Sequence, residues 1–141
     1  MKRIFSAALI TLCTVSIFAA GYAPTDAERA RWTMGDMESW RMVFAAYKTD
    51  HGVYPPAHSM AELKALVQPI YINVAPTTDG WGNEYRYSVD PQTGDYLLVS
   101  AGADGVFQPP SELKAGKVSS FNDDAAATGT ARFLFRSWEY K

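Results

Sequence analysis

Apolar and polar positions follow two different periods along this chain, and the change from one to the other falls near residue 70. Between residues 26 and 48 the apolar side chains recur at intervals of three and four. Ala30, Met34, Met37, Trp40, Phe44 and Tyr47 therefore share one stripe of a helix, while Arg29, Asp36, Glu38, Arg41 and Lys48 fall largely off it. The pattern predicts a long helix, started by Thr25 or Asp26 as N-cap with Glu28 in the first turn, and stopped by Asp50-His51-Gly52. Such a stripe belongs against a core rather than a partner. Gly35 sits in the middle of this helix and weakens it by about 1 kcal/mol relative to alanine.

Val53-Tyr54-Pro55-Pro56 is extended, because a residue before proline is pushed out of the helical region. Ser59 then caps a short helix through about Val67, with Leu63, Leu66 and Val67 inward. From Tyr71 onward the period shortens. Tyr85-Arg86-Tyr87-Ser88-Val89 and Tyr96-Leu97-Leu98-Val99-Ser100 read as two strands of an antiparallel hairpin, joined by the turn-rich Asp90-Pro91-Gln92-Thr93-Gly94-Asp95. Residues 101–130 read as a long irregular segment whose last part is a small-residue connector, and residues 131–138 alternate as a third strand. The expected fold class is α+β: a long N-terminal helix plus a short helix packed on a small antiparallel β-sheet, forming one domain over residues 24–141.

The first 23 residues differ from the rest. Lys2 and Arg3 precede an uncharged run over residues 4–20, which ends in small residues before Pro24, the pattern of a secretory signal peptide. Cleavage is expected after Ala23 or after Gly21. The alternative is a short membrane anchor, since the run of 17 residues meets the lower edge of the roughly 17–25 that span a bilayer. Cys13, the single cysteine, lies inside this run and follows Thr11 and Leu12, without the small residue that precedes a lipidated cysteine. A mature chain starting near residue 24 has no thiol, which removes thiol catalysis, disulfides and thiolate metal sites. It also loses Lys2 and Arg3, leaving 11 basic against 15 acidic residues, a formal charge of −4.

With 141 residues, 48% of them hydrophobic, the chain has an ordinary globular composition, and its charges form no basic patch of the kind nucleic acid requires. Catalytic patterns are absent from the sequence. His51 and His58 flank the extended Tyr-Pro-Pro segment and read as solvated turn or packing residues. Asp79-Gly80-Trp81-Gly82-Asn83 reads as a tight corner around an indole, with a ligand-stacking tryptophan as the other reading. The remaining candidate chemistry is Ser100-Ala101-Gly102-Ala103-Asp104-Gly105 followed by Asn122-Asp123-Asp124. A hard cation such as calcium takes about six to eight oxygens, and a glycine-rich turn beside Asp104 exposes both carbonyls and a carboxylate. The same residues also read as a common Asp-Gly turn and a solvated acidic run, and their spacing is not that of an EF-hand.

In order along the chain, Tyr47-Lys48-Thr49-Asp50-His51-Gly52-Val53-Tyr54-Pro55, then Leu63 and Leu66-Val67, then Asp79-Gly80-Trp81-Gly82-Asn83-Glu84-Tyr85-Arg86-Tyr87, and finally Tyr96-Leu97-Leu98-Val99-Ser100-Ala101-Gly102-Ala103-Asp104-Gly105 resemble the globular domain of the major pseudopilin of the type II secretion system, a type IV pilin-like family. The likeness covers about residues 44–124. It implies calcium in the loop after the last motif, with Asp104 as the side-chain ligand, the carbonyl of Ala101 as a backbone ligand, and Asp123 or Asp124 as the later carboxylate. The family's prepilin start is not matched: Gly21 and Pro24 interrupt the path from the apolar run to the long helix, and no glutamate precedes Glu28. Filament formation is therefore not among the expectations. They are a non-enzymatic, calcium-stabilised protein of the periplasm or exterior that binds or assembles with envelope or secretion-system proteins. Two alternatives stand beside it, a membrane-anchored minor pilin-like subunit and an envelope enzyme using His51, His58 and the Asp104 region.

Overall fold

The computed structural model describes residues 22–129 and 135–138. The expected signal segment, apart from Tyr22 and Ala23, and residues 131–134 of the expected third strand lie outside them. The long helix, α1, spans Asp26–His51. Thr25 caps it reciprocally: the Glu28 amide donates to Thr25 Oγ1 at 3.3 Å, and the Thr25 amide donates to Glu28 Oε2 at 2.9 Å. Gly52 ends it with φ 76°, a left-handed angle that glycine adopts without a Cβ penalty, and its amide donates to the Lys48 carbonyl at 2.8 Å. The face sunk into the domain carries Ala30, Thr33, Met37, Trp40, Val43, Phe44 and Tyr47, with Met34 at its rim.

The short helix, α2, spans Met60–Val67, with Ser59 Oγ accepting from the Glu62 amide at 3.1 Å. Leu63 and Val67 point inward as expected, but Leu66 does not, since it is 37% exposed. Met60, Leu63 and Val67 define the inner face at spacings of three and four, and Leu66 lies about 100° around the helix from Val67.

Among the described residues five strands make one sheet: β1 (Arg86–Val89), β2 (Tyr96–Ser100), β3 (Gly116–Val118), β4 (Ala125–Thr128) and β5 (Phe135–Trp138), in the order β1-β2-β4-β5-β3. The hairpin of β1 and β2 forms as expected, with Tyr87 opposite Leu98 and Val89 opposite Tyr96. The α+β class is as expected, and two details of it differ. Residues 101–130 are not wholly irregular, because they contain a single 3-10 turn (Pro110–Glu112), β3 and β4. Nor is the sheet wholly antiparallel, because β3 runs parallel to β5 with Val118 opposite Trp138. The run expected to be a connector, Ala125-Ala126-Ala127, is a buried central strand between β2 and β5. Its methyl groups let both sheet faces be covered closely. Ala125 and Ala127 meet the main core, and Ala126 meets a second cluster with Val99 and Leu113.

The main core lies between α1 and the sheet. Phe44 stacks on Trp40 at 5.3 Å and meets the rings of Tyr87 and Tyr96 at 5.0 and 4.6 Å. Each buried ring of this kind contributes about 1.5–3 kcal/mol from area alone. Two of the polar tips find backbone partners, with Trp40 Nε1 donating to the Pro76 carbonyl and Tyr87 Oη to the Pro55 carbonyl, both at 2.9 Å. These bonds fix the extended Tyr-Pro-Pro segment and the 76–83 loop over the two ends of the core.

Candidate functional site

Three turns meet beside the N-terminal half of α1. In the first, Asp79 is 5% exposed, and its Oδ1 accepts from the amides of Trp81 at 3.0 Å and Asn83 at 2.9 Å. A carboxylate this deep needs such donors, because burying an unpaired charge is costly. The turn is tied to α1 at three points, all 2.8 Å long: the Gly80 amide to Thr33 Oγ1, Arg29 Nη1 to the Gly80 carbonyl, and Trp81 Nε1 to Asp26 Oδ1. A methyl group at Gly80 would run into the Arg29 backbone. The indole of Trp81 packs on Trp138 at 5.2 Å and on Phe121 at 6.3 Å.

The second turn covers residues 100–105. Ser100 Oγ donates to Asp79 Oδ2 at 2.7 Å and accepts from the Gly102 amide at 3.3 Å, while Asn83 Nδ2 donates to the Gly102 carbonyl at 2.8 Å. Gly102 has φ 72° and sits against the third turn so closely that a Cβ there would lie 2.9 Å from the Asp123 carbonyl oxygen. In that third turn the Phe121 carbonyl accepts from the Ala103 amide at 2.7 Å and the Asp123 carbonyl accepts from Trp138 Nε1 at 2.9 Å.

The candidate ligands are thus carried on two adjoining backbone segments but are not equivalent. Ala101 is buried at the foot of the second turn, and Asp104 is exposed near its tip, where Oδ1 accepts from the Val106 amide at 2.9 Å. Asp123 is half-buried. Asp124 is 0% exposed, its Oδ2 accepting from the Gln108 amide at 2.9 Å while Gln108 Oε1 accepts from the Asp124 amide at 3.2 Å. Among the described residues no three His, Cys, Asp or Glu side chains converge as a metal-holding group. The groups beside the turns are carboxylates and main-chain carbonyls, oxygens of the kind that hard cations take as ligands.

His51 and His58 are not brought to one site with Asp104. His51 is exposed, stacks on Tyr47 at 4.2 Å, and has Nε2 3.1 Å from Tyr71 Oη. His58 lines a surface cleft of about 400 Å³ with Glu84, Arg86 and Gly105, a lining that includes neither His51 nor Asp104. Away from the turns, burial pushes the Asp36 carboxyl up, opposed by a long hydrogen bond from Tyr85 Oη at 3.4 Å. Burial also raises the Tyr85 hydroxyl.

Asp79, Asn83 and Gln108 were not singled out by the sequence pattern as polar supports. Asp79 carried a signal, an Asp opening a glycine-containing turn, where the Trp81 and Asn83 amides return to its side chain. Gln108 carried none.

A long capped helix laid across a small sheet, with loops tied to the helix's first turns, is the build of a pilin-like α+β domain. Residues 23–120 match the family described as Type II secretion system (T2SS), protein G, the major pseudopilin, and the chain belongs to that family. No curated protein matches the sequence. The family is a structural component of secretion rather than a family of enzymes, it is associated with the cell envelope, and it works with other secretion-system proteins. Among the described residues no helix is long and apolar enough to cross a membrane.

Proposed function

We propose that this protein is an exported, non-enzymatic member of the pseudopilin family, released from its signal peptide into the periplasm or the exterior, where it binds or assembles with an envelope partner. In this reading calcium closes the loop between residues 101 and 124. Asp104 and either Asp123 or Asp124 supply carboxylates and Ala101 supplies a carbonyl. The ion would neutralise acidic side chains held on two neighbouring backbone segments and fasten the long loop to the sheet. The observation that carries this reading is the family match over residues 23–120, together with the hydrogen bond from Ala103 to Phe121 that sets the two segments side by side.

Thermal unfolding in calcium and in chelator tests the ion. A cation that binds only the folded state at 100 times its Kd adds about 2.7 kcal/mol. A rise in Tm with calcium that magnesium does not reproduce is expected, and an unchanged Tm at millimolar calcium overturns the ion. The intact mass of protein recovered from the envelope tests export. A start near Tyr22 or Pro24 is expected, and a retained residue 4–20 run supports the anchored subunit instead.

A further inference from the structure

The 79–83 turn touches both the candidate calcium loop and α1, and neither the motif resemblance nor the donor set gives it a task. Asp79 is almost completely buried, and its carboxylate is shared between two jobs: Oδ1 shapes its own turn through the Trp81 and Asn83 amides, and Oδ2 holds Ser100 Oγ at 2.7 Å. Ser100 in turn receives the Gly102 amide, and Asn83 holds the Gly102 carbonyl from the other side. Both polar groups of Gly102 are therefore held by side chains, the amide by Ser100 and the carbonyl by Asn83 of the neighbouring turn. Gly102 is also the residue against which the carbonyls of Phe121 and Asp123 pack.

We propose that Asp79, Ser100 and Asn83 are positioning residues for the ion, and that the 79–83 turn couples ion occupancy to the first two turns of α1. The inference rests on the calcium reading above. Its physical basis is a continuous set of bonded groups rather than proximity alone. A shift of the 100–105 backbone toward an ion pulls on Ser100 Oγ and on Asn83 Nδ2. Both pull on a turn whose other side is fixed to Asp26, Arg29 and Thr33. Coupling of this kind is reciprocal, so whatever engages the start of α1 also changes calcium affinity.

The test uses the whole chain and calcium chloride as the probe, with affinity read by calorimetry and amide exchange read segment by segment. In the unmodified protein, calcium is expected to slow exchange over residues 26–33 and 79–83 as well as over 100–105. Ser100→Ala removes the bridging hydroxyl without changing charge. It is expected to weaken calcium binding about tenfold, the worth of one hydrogen bond to a charged group, and to leave residues 26–33 unresponsive to the ion. Asp79→Asn keeps an acceptor for the Trp81 and Asn83 amides but presents an N–H to Ser100, and the same two losses are expected. Calcium binding with an exchange response confined to 100–105 and 121–124 overturns the coupling, and unchanged affinity in both variants overturns the positioning role. If the unmodified protein binds no calcium, the ion reading fails by itself. Ser100→Ala then decides the coupling without it: faster exchange over 26–33 supports the coupling, and unchanged exchange there overturns it.

Discussion

Replacing Gly80 by alanine isolates the junction between α1 and the loops, because the backbone at Gly80 needs no left-handed angle and a methyl group there is objectionable only for what it meets. It meets the backbone of Arg29, inside a helix that cannot yield. The turn must back away, and in doing so it loses two bonds of 2.8 Å, from the Gly80 amide to Thr33 Oγ1 and from Arg29 Nη1 to the Gly80 carbonyl. The first is a neutral bond worth about 1 kcal/mol, and the second has a charged donor and is worth about 1.5–3 kcal/mol. Gly80→Ala should therefore destabilise the domain by about 3 kcal/mol in urea unfolding followed by far-UV circular dichroism. Gly35→Ala is the internal control, since a Cβ at Gly35 meets nothing within 4 Å and the helix interior favours alanine by about 1 kcal/mol. The two Gly→Ala changes should thus move stability in opposite directions. A Gly80→Ala protein within 0.5 kcal/mol (about the noise of a surface substitution) of the unmodified one would refute the steric reasoning and the tie between turn and helix.

Leu63→Ala should cost about 2–5 kcal/mol, as truncations of fully buried leucines do, while Leu66→Ala should cost under about 1 kcal/mol because much of its side chain already meets water; equal costs in the same urea titration would reverse the assigned face of α2. At the start of α1, the Tyr22 hydroxyl, followed by the Thr25 cap, holds the Glu28 carboxyl down at about 2, against an ordinary value of 4.5. A depressed carboxylate stabilises the folded state fully above its unfolded pKa and loses that contribution as pH falls through the folded one. Exchange protection of the first helical turn should therefore decline between about pH 4.5 and about pH 2, and Glu28→Gln should flatten that decline; an identical pH profile in the variant would remove Glu28 from the account.

The helices were legible because their signals are local. Thr25 with Glu28, Gly52 at the far end, Ser59 before α2 and the three-four spacing of large side chains all act within a few residues. The hairpin was legible for the same reason, with Tyr85, Tyr87 and Val89 alternating with Arg86 and Ser88 before the turn and the apolar run Tyr96-Leu97-Leu98-Val99 after it. Ala125-Ala126-Ala127 was not, because alanine has little preference for a strand, and only the close approach of covered sheet faces selects three small residues there. The parallel placement of β3 beside β5 depends on pairing across twenty residues and leaves no periodic trace in three residues. At the site, Asp104, Asp123 and Asp124 stood out in the sequence as candidate carboxylates, but their unequal burial did not. The buried Asp124 is bonded by both the side chain and the backbone of Gln108, from sixteen residues away.

The strand order carries one consequence for how this domain assembles. β5, last in sequence of the described strands, lies between β4 and β3, and it is the strand with which β3 pairs. β3 therefore has nothing to zip onto until residues 135–138 have taken their place. The hairpin, by contrast, closes within fifteen residues from Arg86 to Ser100. Because distant pairing must first overcome loop-closure entropy, the pairs that close locally, β1 with β2 and β4 with β5 (Ala127 opposite Phe135), are favoured early, and β3 is added only once the final strand is in place. Trp138, at the end of that strand, bonds the Asp123 carbonyl and packs on Trp81. Its arrival is thus the step that draws together the sheet and the turns beside α1.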